Sequence, residues 1–380
     1  MDLGLYIHVP FCRSICNYCN FNRGLFDEAV KTRYVSALLL EIERAAEAGA
    51  SADTIFFGGG TPSLLTPAEI GRIVERCAHS FDLAADAEVT LEANPETVTP
   101  ETLAGYRAAG VSRLSFGVQS FADRELARLE RRHSAARAVQ AVGDARRAGF
   151  DNISLDLMMW LPGQQLPDWL RSVDALVDLG PEHVSFYLLE LYPNAPLRDE
   201  MARRQWSLAP DDDAAAMYLE GLARLDAAGY GQYEISNAAR PGRESRHNLK
   251  YWTDGNWHGF GCGAHGTRDG IRWRNVSGTS DYCDRVEAGT SPVAERRRLP
   301  DDERLGDALF TGLRLTAGLD LAAVENRYGV DVWSRYSEGL SPFVEAGVLV
   351  HEPGRRLALT RDGMLVANEV MMVFIGSPVR

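Results

Sequence analysis

The chain has 380 residues, and 40 Lys and Arg against 53 Asp and Glu give a formal net charge of −13. Apolar residues make up 45% and charged residues 24%, the mix of a folded globule long enough for two or three domains rather than of a disordered chain. The acidic excess argues against nucleic-acid binding and against general affinity for anionic membranes, both of which call for Lys and Arg.

Met1-Asp2-Leu3-Gly4-Leu5-Tyr6 has neither a basic lead-in nor a signal-like apolar core. Nowhere do about 18 apolar residues stand in a row, so a cytoplasmic protein without a membrane span is expected. Six candidate strands occur in order: Leu3–Val9, Thr54–Phe57, Glu88–Leu91, Arg113–Gly117, Asn152–Leu157 and His183–Leu189. Between them lie helical patterns, clearest at Glu28–Ala48, Pro67–His79, Pro100–Ala109, Asp123–Ala148 and Pro167–Leu179. Pro67, Pro100 and Pro167 stand where a first helical turn begins, with Thr66 and Thr99 as caps before two of them. Strand then helix, six times, implies parallel strands joined by right-handed crossovers. Six repeats fall short of the eight of a closed barrel, so the expected fold is α/β, an open, partial (βα)6 TIM-like barrel over 1–235.

Such a sheet works at the carboxyl ends of its strands. Those ends carry a cysteine cluster, Gly58-Gly59-Gly60-Thr61-Pro62, Glu92-Ala93-Asn94-Pro95, Gln119, Asp156 and Glu190. Any one such loop is ordinary punctuation; six on one rim point to a shared pocket. Past Ile235 the cadence gives way to a stretch rich in Gly, Trp, His and Asn, read as a connecting segment over 236–289. The run Asp211-Asp212-Asp213 before it reads as a solvated helix start. Residues 290–380 read as a winged-helix-like module: helices Asp301–Thr311, Leu321–Tyr328 and Ser334–Ala346, a strand pair Val348–Val350 and Leu357–Leu359, and a last helix Arg361–Phe374. Its basic residues are offset by Asp301, Asp302 and Glu303, which favours packing over DNA binding.

Three of the six cysteines, Cys12, Cys16 and Cys19, form C-x3-C-x2-C after the first strand, a clustering improbable by chance. Zinc usually takes four closed ligands in paired knuckles, and no second knuckle exists. A four-iron cluster normally takes four thiolates; given three, one iron stays open to an outside ligand. That opening suits S-adenosylmethionine, gripped through its amino and carboxylate groups and cleaved by an electron to a 5′-deoxyadenosyl radical.

C-x3-C-x2-C at this place resembles the radical S-adenosylmethionine superfamily. Tyr6-Ile7-His8-Val9-Pro10-Phe11-Cys12, Cys16-Asn17-Tyr18-Cys19-Asn20-Phe21, Phe57-Gly58-Gly59-Gly60-Thr61-Pro62-Ser63, Phe116-Gly117-Val118-Gln119-Ser120 and Asp156…Leu161-Pro162-Gly163-Gln164 narrow it to the family related to oxygen-independent coproporphyrinogen III oxidase. The resemblance runs over nearly the whole chain. It implies that Cys12, Cys16 and Cys19 hold a [4Fe–4S] cluster and that Tyr6, Gly59 and Glu92 bind the cluster-bound S-adenosylmethionine. It implies a second molecule at Tyr18, Gly60, Thr61, Gln119, Arg131 and Asp156. Without it, Arg131 in Glu130-Arg131-Arg132-His133 reads as a surface helix charge. Gly261-Cys262-Gly263-Ala264-His265-Gly266 satisfies G-x-G-x2-G, but Thr267-Arg268-Asp269-Gly270-Ile271-Arg272-Trp273 after it is turn-like and β-like, so a dinucleotide site is rejected. In the family this glycine stretch closes over the adenosylmethionine site.

Two features divide the family. The oxidase carries a further cysteine two residues after the third ligand, where this chain has Phe21. His247-Asn248-Leu249-Lys250-Tyr251-Trp252 resembles the H-N-x2-Y-W signature of the family's heme chaperones, in which the histidine is tied to heme binding. Imidazole is a common axial ligand of heme iron, and aromatic neighbours can stack on a porphyrin; a lone histidine is more often structural. His258, Cys262 and His265 are weaker candidates. The expected function is a heme chaperone that passes heme to acceptor hemoproteins, respiratory ones at the inner membrane face among them. A radical methyltransferase or cyclopropanase is the alternative, and coproporphyrinogen oxidation ranks last.

Overall fold

The computed structural model describes residues 2–46 and 49–375. Six parallel strands appear where the sequence places them: β1 (Leu3–Val9), β2 (Ser51–Gly59), β3 (Asp82–Ala93), β4 (Arg113–Gln119), β5 (Ile153–Met159) and β6 (His183–Leu188). Six more extend the sheet: β7 (Gly231–Glu234), β8 (Asn237–Ala239), β9 (Trp257–Phe260), β10 (His265–Arg268), β11 (Ile271–Asn275) and β12 (Val293–Arg298). Among the described residues the order is β12-β11-β10-β9-β1-β2-β3-β4-β5-β6-β8-β7, linear and therefore open. β9 joins β1 in parallel, and the strands beyond it and beyond β6 run antiparallel. These added strands are short and rich in Gly and Arg, so they lack the apolar run that marks a buried parallel strand.

The helices are α1 (Glu28–Arg44), α2 (Pro67–Ser80), α3 (Pro100–Ala108), α4 (Asp123–Arg128), α5 (Ala135–Arg147), α6 (Leu166–Leu179), α7 (Pro196–Arg204), α8 (Asp211–Ala227), α9 (Arg246–Trp252) and α10 (Thr279–Glu287). Thr66 and Thr99 cap α2 and α3 through reciprocal bonds with Glu69 and Thr102. Of the helix expected over Glu28–Ala48, α1 ends at Arg44, and residues 47 and 48 lie outside the described residues. The single helix expected over Asp123–Ala148 is two. Glu130 takes a left-handed φ of 53°, and the Ser134 side chain caps α5 by accepting from the Arg137 amide, an end signal inside an otherwise helical pattern. The break turns Arg131 toward the barrel interior instead of solvent.

Strand alternation sorts the layers. Leu5, Ile7, Ile55, Phe57, Leu91, Leu114, Phe116 and Leu155 are fully buried under the outer helices. Gly4, Tyr6 and His8 face the concave side with Phe56, while α9 lies under the strands' amino ends, its Arg246 and His247 amides donating to Glu88 at 3.4 and 3.3 Å. The carboxy-terminal part has α11 (Asp301–Gly312), α12 (Leu321–Tyr328), α13 (Val332–Glu345) and α14 (Ala367–Ile375). Its antiparallel wing holds β13 (Leu319–Asp320), β14 (Leu349–Glu352) and β15 (Arg356–Leu359) in the order β13-β15-β14. No helix among the described residues is long and apolar enough to cross a membrane.

One buried carboxyl ties α1 to the added strands. Glu41 accepts from the Gly261 amide at 2.8 Å, Tyr282 Oη at 2.6 Å and Asn275 Nδ2 at 2.7 Å, and burial raises its pKa. Glu41→Ala leaves the buried Gly261 amide and Tyr282 hydroxyl unpaired and takes one of two acceptors from Asn275 Nδ2, and should cost about 3 kcal/mol, read as a lower denaturant midpoint. Glu41→Gln, which keeps an acceptor oxygen, should cost clearly less.

Candidate cofactor site

β1 runs through Pro10 into the two-residue strand Phe11–Cys12, which pairs in parallel with Gly24–Leu25. The loop between them carries Cys16 and Cys19 and is braced on every side. His8 Nε2 meets the Asn22 carbonyl at 2.8 Å, and Asn17 Nδ2 donates to the Arg128 carbonyl at 2.9 Å. Asn22 Nδ2 donates to the Cys262 and Ser277 carbonyls, both at 3.1 Å. The stretch Gly261–Gly266 therefore supports the cysteine loop from behind. It lies against α1 and β1, with Tyr34 Oη donating to the His8 carbonyl at 2.8 Å and accepting from the Cys262 amide at 3.1 Å. None of the residues Gly261–Gly266 lines the cavity.

A cavity of about 480 Å³ opens at the carboxyl ends of the strands. Of the residues marked in the sequence, Cys12, Cys16, Cys19, Tyr18, Gly59, Gly60, Thr61, Glu92, Gln119, Arg131 and Asp156 line it together, and Tyr6 and His247 do not. Thr61 Oγ1 points at Cys12 Sγ at 3.6 Å and Arg131 Nη1 at Cys16 Sγ at 3.7 Å. Burial pushes the Cys12 and Cys19 thiols up, a cost that metal binding offsets by taking the thiolate. Among the described residues no three His, Cys, Asp or Glu side chains converge on one ion's position. A four-iron cluster takes each thiolate on a different iron and so does not call for that convergence. Three thiols on one cavity wall fit the cluster.

The two glycines of the second loop act mainly through packing. Gly59 has φ +116°, and a Cβ there would lie 2.6 Å from His8 Cε1. At Gly60 it would lie 2.7 Å from the Phe11 carbonyl oxygen. Both amides are taken, Gly59 N donating to Glu92 Oε2 at 3.2 Å and Gly60 N to the Val9 carbonyl at 2.8 Å. Missing side chains let this loop close on β1; its amides are not left open for a ligand.

Glu92 is pushed up to about 8 by burial and by Asp156, against the opposing pull of the Gly59 amide and Arg113. It is therefore largely protonated at neutral pH, able both to donate to and to accept from a hydroxyl. Burial likewise raises Asp156, which accepts from Ser115 Oγ at 3.1 Å. Arg131 Nη2 donates to Asn94 Oδ1 and to the Gly117 carbonyl, both at 2.7 Å. Gln119 has a left-handed φ of 69° beside a register shift between β4 and β5, strain that turns its amide into the cavity, where Tyr187 Oη donates to it at 2.7 Å. Arg113, 1% exposed, also lines the cavity, and its Nε has no hydrogen-bond partner. Arg113 and Ser115 went unmarked in the sequence, although Arg113, Ser115, Gly117 and Gln119 alternate with Leu114, Phe116 and Val118. That period of two separates an inward polar face from an outward apolar one.

His247 lies below the cavity, fully buried, with Nδ1 2.8 Å from Thr54 Oγ1 and Nε2 2.9 Å from Tyr251 Oη. Phe56 stacks on it at 5.1 Å. The next residue of the motif, Asn248, reaches the cavity. Burial, with Lys250 and Arg113 nearby, lowers the His247 pKa to about 3, against about 6.5 in an unfolded chain. As pH falls the unfolded chain takes up this proton first, so the contribution is complete above pH ~6.5 and declines from there toward pH ~3. His8 and His183 shift in the same direction. Acid denaturation between those limits should thus be shallower in His247→Gln than in the wild type, as measured by denaturant midpoints across pH.

Comparison with known proteins bears on the family. Residues 6–176 match the radical SAM superfamily and residues 299–366 the HemN C-terminal domain. The heme chaperone HemW of Mycobacterium tuberculosis is 41% identical over 379 residues, covering 98% of this chain and 95% of that protein. The heme chaperone HemW of Bacillus subtilis is 36% identical over 374 residues, covering 98% of each. Among solved structures, a coproporphyrinogen III oxidase of Escherichia coli described as a radical SAM enzyme superposes with a TM-score of 0.87. It covers 98% of this chain and 90% of that one at 23% identity, and shows the shared fold.

Proposed function

This chain belongs to the radical SAM superfamily and within it to the HemW family of heme chaperones, and from that premise we propose that it binds heme and delivers it to acceptor hemoproteins. We assign Cys12, Cys16 and Cys19 to a [4Fe–4S] cluster and the rest of the cavity to S-adenosylmethionine. The observation that carries the reading is one cavity holding three thiols, a buried carboxyl and buried arginine, in a chain 41% identical to a heme chaperone. Bound there, the cluster supplies an open iron and one electron.

The chain's own residues have separable tasks in this reading. Glu92, protonated by its burial, exchanges hydrogen bonds with ribose hydroxyls without adding a second buried charge. Arg131 and Arg113, whose buried Nε lacks a partner among the described residues, supply fixed positive charge for carboxylate groups, which guanidinium forks suit. Tyr6 supports the site from beneath, its hydroxyl 3.1 Å from His8 Nδ1. Phe21 and Ile15 are exposed beside the cysteines and give the cavity mouth an apolar rim. The acceptors we propose are cytoplasm-facing hemoproteins, including respiratory ones at the inner membrane face.

Two measurements test the reading. Cys16→Ala should lose most of the iron and the broad visible absorbance of the anaerobically reconstituted protein; a full four-iron complement would contradict the ligand assignment. Heme titrated into the wild type should give a saturable Soret band, and an apo-hemoprotein added afterwards should acquire the heme. Absence of saturable binding would end the chaperone reading.

A further inference from the structure

We propose that heme iron is ligated by the His265 imidazole, with Arg272 and Arg274 as partners for the propionates, on the concave face of the added strands. The inference rests on the heme-chaperone reading and deepens it.

The other imidazoles are engaged by protein atoms or lie on outer elements away from this face. His247, His8 and His183 each have both ring nitrogens within hydrogen-bond distance of protein atoms. His133 is buried between the Val118 carbonyl and Glu96. His79 bonds the Glu75 carbonyl on an outer helix, His351 stacks on Trp333 in the wing, and His258 stacks on Phe260 on the outer face. His265 is exposed, and among the described residues nothing hydrogen-bonds to its ring.

Register fixes where it points. Gly4 pairs with Trp257 and Tyr6 with Gly259, Trp257 pairs with Thr267, and His265 pairs with Arg274 and Thr267 with Arg272. Paired residues share a face, so His265, Arg272, Arg274 and Trp257 continue the concave surface of Tyr6 and His8. His8, on the same face, holds the cysteine loop through the Asn22 carbonyl, so this surface adjoins the strand that leads into the loop. Arg274 uses Nε on Glu295 at 2.9 Å and Arg272 one Nη on Asp307 at 3.0 Å. Each guanidinium has five N–H donors and so retains several for a carboxylate. Trp257 Nε1 donates to the His265 carbonyl at 3.1 Å, fixing the strand that presents the ligand and offering an aromatic wall. Ligation donates the imidazole lone pair to iron and releases a bound water; no electron is transferred.

The test is titration of hemin into the full-length, cluster-loaded protein, followed by heme difference spectra. Relative to wild type, His265→Ala should bind at least about tenfold more weakly and lose the imidazole-ligated spectrum, which added free imidazole should restore. His247→Gln should keep that spectrum. Arg272→Ala with Arg274→Ala should weaken hemin about tenfold yet leave hemin dimethyl ester, which lacks propionate charge, unchanged. Wild-type affinity and spectrum in His265→Ala, or their loss in a folded His247→Gln alone, would overturn the inference while the chaperone reading stands. Failure of the wild type to bind hemin would overturn both.

Discussion

The site depends on how closely two strand ends approach one another. Val9 accepts the Gly60 amide at 2.8 Å, and any Cβ at Gly60 would sit 2.7 Å from the Phe11 oxygen. This contact sets the first cysteine of the loop directly against Thr61, with Cys12 Sγ 3.6 Å from the hydroxyl. Glu92 is drawn into the same group through the Gly59 amide. Thiol, hydroxyl and carboxyl from three successive strands thus meet because side chains are missing at two positions.

Charge inside the barrel is arranged around a ligand rather than around itself. Arg113 acts on Glu92 and Asp156 through space, yet its buried Nε has no partner. An enclosed guanidinium left incomplete is costly, and so is a pair of buried carboxyls. Raised carboxyl pKa values relieve part of that strain by neutralising one group. The remaining demand for acceptors is what a ligand with carboxylate and hydroxyl groups satisfies.

The parallel half of the fold was legible because buried strands and amphipathic helices carry strong periods. Leu3–Val9 matches to the residue, and Thr66 and Thr99 cap their helices as their spacing indicates. The cysteines were legible from spacing alone. The break before Ser134 was harder to see, since helix-forming residues run through Glu130-Arg131-Arg132 and the Ser134 cap is a single local signal inside that run. β9–β12 were not legible as sheet, since strands of four to six residues with an exposed edge have little apolar pattern. His247 illustrates a different limit. Its motif marks it for chemistry, but packing against Thr54, Phe56 and Tyr251 decides what the ring touches, and sequence does not display packing.

A protein that must release its cargo has reason to hold it on the added strands and not inside the barrel. A cargo held in the cavity at the carboxyl ends of the strands would sit among buried carboxyls and arginines. β10 and β11 instead present His265, Arg272 and Arg274 on partly exposed, antiparallel strands, with arginines already shared with Asp307 and Glu295. Those carboxylates compete with propionate for the same donors, which moderates affinity without removing the site. In the proposed site, heme ligated on one face would leave its opposite face to an acceptor's own ligand, so that the new axial bond would form before the His265 bond breaks.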